Sequence, residues 1–103
     1  MEINYEEVLK RLQYFRNKNH LSARETSLRL GLSESFMNRI ERNAIELKVS
    51  TLLNFMELIG ITPQEFFYSK PEHYKADREL LEQISKLSFE SKESLKKLIK
   101  NMK

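Results

Sequence analysis

The chain has 103 residues, with 18 Lys+Arg, 15 Asp+Glu, two Gly, two Pro and no Cys. That length holds one core, with at most a small appendage, which excludes a doubly wound sheet, a TIM barrel and a multidomain enzyme; the missing Cys excludes a disulfide scaffold, a thiolate zinc site and a cysteine nucleophile; and two Gly leave room neither for a Gly-rich phosphate loop nor for a turn-rich all-β fold. The formal net charge of +3 is mild, but residues 10–42 gather Lys10, Arg11, Arg16, Lys18, Arg24, Arg29, Arg39 and Arg42 against only Glu25, Glu34 and Glu41.

The N-terminal MEINYEE is acidic and has no apolar core, so it does not read as a signal peptide. Asn4 then caps a helix over about 5–18, with Glu7 at its third position and Val8, Leu12 and Phe15 on one face. Asn19-His20 ends it. Ser22-Ala23-Arg24-Glu25 is a second capping box, opening a short helix to Leu30 that Gly31 can close in the left-handed conformation. Ser33 is expected to cap a third helix with Phe36, Met37 and Ile40 inward, ended by Asn43. Leu30, Phe36, Met37 and Ile40 are expected core. After a loop over 43–49, Ser50 or a neighbour opens a fourth helix (Leu52, Leu53, Met56, Ile59) that ends at Gly60. Thr62-Pro63-Gln64-Glu65 is a third capping box, with Pro at the favoured first position of a short helix bearing Phe66 and Phe67.

Polar residues and a Pro over 68–76 mark a boundary. The division expected is a domain over 1–68, a linker over 69–76 and a helical hairpin over 77–103. In the hairpin, Leu80, Leu81, Ile84 and Leu87 form one amphipathic face and Leu95, Leu98, Ile99 and Met102 another, with Ser88 as a cap between. No β signal occurs, so the fold class is all-α. No apolar run approaches the 18 residues of a membrane span, so neither a membrane nor its surface is an expected partner, and the expected location is the cytoplasm.

Residues 22–42 carry the functional signal. A short helix, a tight turn at Gly31-Leu32-Ser33 and a second helix have the spacing of a helix-turn-helix, whose second helix enters the major groove. Here the sequence resembles the phage-repressor-like (Cro/C1, or XRE) regulators. The resemblance covers about Val8 to Phe67. It is carried by Leu12, Arg16, Leu21-Ser22, Glu25, Leu30-Gly31-Leu32-Ser33, Ser35, Ile40-Glu41-Arg42, Thr51-Leu52-Leu53, Gly60-Ile61-Thr62 and Glu65-Phe66-Phe67. It implies a five-helix, repressor-like domain that binds palindromic double-stranded DNA as a dimer. It also implies regulation of transcription in a bacterium or phage, with repression the expected sign.

The outward face of the third helix holds Glu34, Ser35, Asn38 and Arg39, away from Phe36, Met37 and Ile40. By family position Glu34, Ser35 and Arg39 fall where relatives read base edges, with Asn38 beside them. The chemistry suits this: Arg donates to guanine, Asn pairs with adenine, and Glu accepts from cytosine N4. Phosphate contacts are expected at Ser22, Ala23 and Arg24, and at Arg42 and Asn43. Arg16 and Glu41 match a pair that forms a buried salt bridge in many relatives. Five positions depart from the pattern. Ala23 stands in place of Gln, Thr26 in place of Leu where it should weaken the core, and Ser27 in place of Ala; Asn43 and Leu47 replace the usual Gly and Pro.

Two short amphipathic helices cannot bury their apolar faces alone. Leu80, Leu81, Ile84, Leu87, Leu95, Leu98, Ile99 and Met102 are therefore expected to make a homodimer, with a cap on the same chain or a protein antagonist or toxin as the other occupants. The alternative function is an antitoxin or antagonist-type interaction module on the same fold. His20 and His73 are isolated, so no metal and no cofactor are expected. With no nucleophile paired to a base, neither is catalysis.

Overall fold

The computed structural model describes residues 3–102. They form seven α-helices and no strand: α1 (Tyr5–Lys18), α2 (Ala23–Arg29), α3 (Phe36–Glu41), α4 (Val49–Ile59), α5 (Pro63–Phe66), α6 (Tyr74–Ser85) and α7 (Phe89–Asn101), with a 3-10 turn at Pro71–His73 before α6. The chain divides into two compact units, the first ending at Ser69 and the second beginning at Lys70.

Local chemistry starts three helices of the first unit. The side chain of Asn4 accepts the Glu7 N–H at 2.9 Å. Ser22 Oγ accepts that of Glu25 at 3.0 Å, and Thr62 Oγ1 that of Glu65 at 3.2 Å, with Pro63 at the first helical position. Each satisfies a donor that the helix itself leaves unpaired.

Four helices end in one way. His20, Gly31, Asn43 and Gly60 all have positive φ, at 58°, 75°, 58° and 73°. After each, the next N–H reaches back to the carbonyl five residues earlier: Leu21 to Arg16 (3.1 Å), Leu32 to Ser27 (2.9 Å), Ala44 to Arg39 (2.8 Å) and Ile61 to Met56 (3.0 Å). This is the Schellman closure. His and Asn are among the few side chains that tolerate the left-handed region. At Asn19 the amide also donates to the Phe15 carbonyl at 2.8 Å.

The third helix departs from expectation. It begins at Phe36, after a turn at Glu34 and Ser35, and Ser35 occupies the cap position without a side-chain bond. Ser33 contributes only its carbonyl, which accepts the Phe36 N–H at 3.0 Å. The cap comes from α2 instead: Ser27 Oγ accepts the buried Met37 N–H at 2.8 Å and donates to the Ala23 carbonyl at 2.9 Å.

The core of this unit joins Leu9, Leu12 and Phe15 of α1, Met37 and Ile40 of α3, Phe55 and Met56 of α4, and Phe66 of α5. The Phe15 and Phe66 rings stack 5.5 Å apart. Leu30 and Phe36 are half-buried against this core rather than within it. Phe67 is exposed. From α2 the fully buried residues are small: Thr26 and Ser27. The Thr26 hydroxyl donates to the Ser22 carbonyl at 2.9 Å, so its burial strands no polar group.

In the second unit, α6 begins at Tyr74, inside the stretch read as linker. Ser88 caps α7 by accepting the Ser91 N–H at 3.1 Å. No residue of α6 or α7 is buried. Ile84 and Leu95 are half-buried, while Leu80, Leu81, Leu87, Leu98, Ile99 and Met102 are exposed, Leu81 at 64%. Phe89, at the first position of α7, is exposed at 76%.

Candidate nucleic-acid interface

Two devices fix α2, the turn and α3 as one rigid piece. One is the Ser27 cap. The other is a buried ion pair. Arg16 on α1 donates from Nε to Glu41 Oε2 at 2.7 Å and from Nη2 to Oε1 at 2.9 Å, a fork-to-fork pair. Arg16 Nη1 also donates to the Leu21 carbonyl at 2.8 Å and to Asn17 Oδ1 at 3.2 Å. With side chains only 10% and 8% exposed, this pair ties α1, the entry to α2 and the end of α3 together.

With Met37 and Ile40 turned inward, Ser35, Asn38, Arg39 and Arg42 lie on the exposed side of α3 and its flanks. Glu34 is exposed too, in the turn ahead of the helix rather than on it. Ser22 is the α2 cap, Ala23 is half-buried at its first position and Arg24 is exposed beside it. Asn43 holds the left-handed turn after α3.

Ion pairing sorts the arginines of this unit. Arg11 pairs with Glu7 at 3.5 Å, Arg16 with Glu41 at 2.7 Å, Arg24 with Glu34 at 3.1 Å and Arg29 with Glu25 at 2.9 Å. Arg39 and Arg42 make no ion pair among the described residues. Both uncompensated guanidinium groups therefore sit at the exposed end of α3, where donors and positive charge suit an anionic, acceptor-rich partner.

Three structural residues had no local signature in the sequence. Ser27 reaches its partner on the next helix. Tyr5 accepts the Leu47 N–H on its hydroxyl at 2.8 Å, tying the loop after α3 to the start of α1. Arg11 is buried. Its Nη1 donates to the Phe66 carbonyl at 2.8 Å and to that of Tyr68, and its Nη2 to Ser69 at 3.2 Å. Its Nε, buried, makes no hydrogen bond but lies 3.5 Å from Glu7 Oε1. Among the described residues no group of three His, Asp or Glu is gathered to hold a metal ion, and no helix is long and apolar enough to cross a membrane.

A short helix, a left-handed glycine turn and a second helix with an exposed polar, basic side define a helix-turn-helix DNA-binding domain. Comparison with family models agrees: residues 12–66 match the family described as Helix-turn-helix. The chain belongs to that family, of the Cro/C1 (XRE) type, and is a DNA-binding regulator. Comparisons with curated proteins and with solved structures found no match.

Proposed function

We propose that the protein represses transcription by binding a palindromic operator as a homodimer, with α3 of each protomer in the major groove and half-sites about 34 Å apart. The observation that carries this reading is the pair of uncompensated arginines, Arg39 and Arg42, at the exposed end of α3. Glu34, Ser35, Asn38 and Arg39 are the base-reading set, with Arg39 donating to guanine. Ser22, Ala23, Arg24, Arg42 and Asn43 are the phosphate contacts, and Arg16 with Glu41 holds the frame. Affinity should fall steeply with salt as released counterions lose their advantage. The protein would act in the cytoplasm.

The homodimer rests on the second unit. Its apolar row, Leu80, Leu81, Ile84, Leu87, Leu95, Leu98, Ile99 and Met102, is left without full cover in the single chain. A two-fold operator calls for a two-fold protein. The charges favour a second copy: α6 leans acidic (Asp77, Glu79 and Glu82 against Lys75 and Arg78), whereas α7 leans basic (Lys92, Lys96, Lys97 and Lys100 against Glu90 and Glu93). The same exposed row supports a second reading, in which it receives a protein antagonist or toxin.

Selection of bound sequences from a randomised duplex pool tests the proposal, with Arg39→Ala in parallel. A palindromic consensus in the wild type, lost in a variant with unchanged circular dichroism, is the expected result. A folded wild type that enriches no sequence overturns the operator reading and favours the interaction module.

A further inference from the structure

Arg24 lies in the first turn of α2 and Glu34 in the turn before α3, yet the Arg24 Nε–H donates to Glu34 Oε2 at 3.1 Å. The side chains are 69% and 64% exposed. Exposed pairs of this kind contribute little to stability, so holding the fold together does not account for the arrangement. What it does fix is orientation. With Nε committed to the carboxylate, both Nη groups of Arg24 and Oε1 of Glu34 make no hydrogen bond among the described residues, and solvent meets a fork of donors beside one acceptor.

That pattern has a complement in the major groove. Across a G·C pair the groove offers two acceptors, guanine N7 and O6, then one donor, cytosine N4. An A·T pair offers acceptor, donor, acceptor instead, and sets the adenine amine against the Arg fork. We infer that Arg24 and Glu34 read one G·C base pair in each half-site as a unit: Arg24 donates to guanine N7 and O6, and Glu34 accepts from cytosine N4. The inference rests on the DNA reading above and moves Arg24 from the phosphate set to the base-reading set. It also accounts for a carboxylate facing DNA: Arg24 neutralises a charge that would otherwise repel phosphate. When duplex displaces water from the pair, its Coulombic attraction strengthens as the local dielectric falls.

The test is selection from a randomised duplex pool by the full chain, run with wild type, Arg24→Ala, Glu34→Ala, Glu34→Gln and the double variant Arg24→Ala/Glu34→Ala. Both side chains are exposed, so every variant should fold, which circular dichroism verifies. The wild-type consensus should contain a G·C pair at one position per half-site. Each single variant should lose about tenfold in preference at that same position, the scale of one bidentate base contact, and keep the rest of the consensus. The double variant should lose no more than either single one. Relaxation at two different positions overturns the inference, and so does a consensus that none of the variants changes. Uniformly weaker binding by Arg24→Ala, with a salt slope shallower by about one, also overturns it, since that marks a phosphate contact. No enrichment by the wild type removes the DNA reading and this inference with it, whereas the other failures remove the inference alone.

Discussion

Arg16 joins three elements of the first unit through one guanidinium. Four hydrogen bonds leave its guanidinium, two of them to a carboxylate that is itself only 8% exposed. Removing one partner of such a pair strands the other charge, which costs about 3–5 kcal/mol. Arg16→Ala should therefore lower the free energy of unfolding by about that amount in urea titrations. Joint replacement, Arg16→Met with Glu41→Leu, should cost clearly less than the two single changes added together. Strict additivity in that cycle would show the pair to be uncoupled. Thr26 teaches the opposite lesson at the same scale. A threonine in a leucine's place suggests a weakened core, but its hydroxyl finds the Ser22 carbonyl one turn back, and the site keeps its polar group paired.

The helices differ in how far the sequence alone discloses them. The caps of α1, α2, α5 and α7 are readable because each acceptor sits three residues from its donor, at Asn4, Ser22, Thr62 and Ser88. The ends at Gly31, Asn43 and Gly60 are readable because few residues accept positive φ. The start of α3 is not readable, because its cap is Ser27, ten residues before Met37 and on another helix. The Arg24–Glu34 pair hides for the same reason, and Arg11 more so, its acceptors being main-chain carbonyls 55 to 58 residues away. Periodicity placed Asn38 and Arg39 outward, yet it could not reveal that Glu34 and Ser35 belong to a turn. The six residues of α3 are too few to persist without support. Ser27→Ala should therefore cost about 1–2 kcal/mol and raise the amide exchange rate of Met37 more than that of residues in α4. Equal acceleration throughout would mean that Ser27 stabilises the whole unit without singling out α3.

For the molecule as a whole, the proposed homodimer rests on the second unit. Leu81 lies in the exposed apolar row of α6, so Leu81→Asp should leave helix content unchanged while blocking self-association. Sedimentation of the wild type at micromolar concentration should give a dimer, and of the variant a monomer. Operator affinity should drop by a hundredfold or more, on the order expected when two linked half-site contacts become one. A wild type that sediments as a monomer, both free and on DNA, would instead leave the row to a protein antagonist. The all-α class and the family were legible from ordered motifs, because each is written in local spacing. What covers α6 and α7 was not, because an amphipathic pattern shows that a face wants cover and is silent about the surface that supplies it.

Arg11 also gives the chain a mooring. Its guanidinium grips the carbonyls of Phe66, Tyr68 and Ser69 where the first unit ends. A pull on the backbone from Lys70 onward is carried into the 14 residues of α1 before it can peel away the four of α5. The chain that leaves the first unit is thus tied back to α1, the same helix whose Arg16 holds the end of α3.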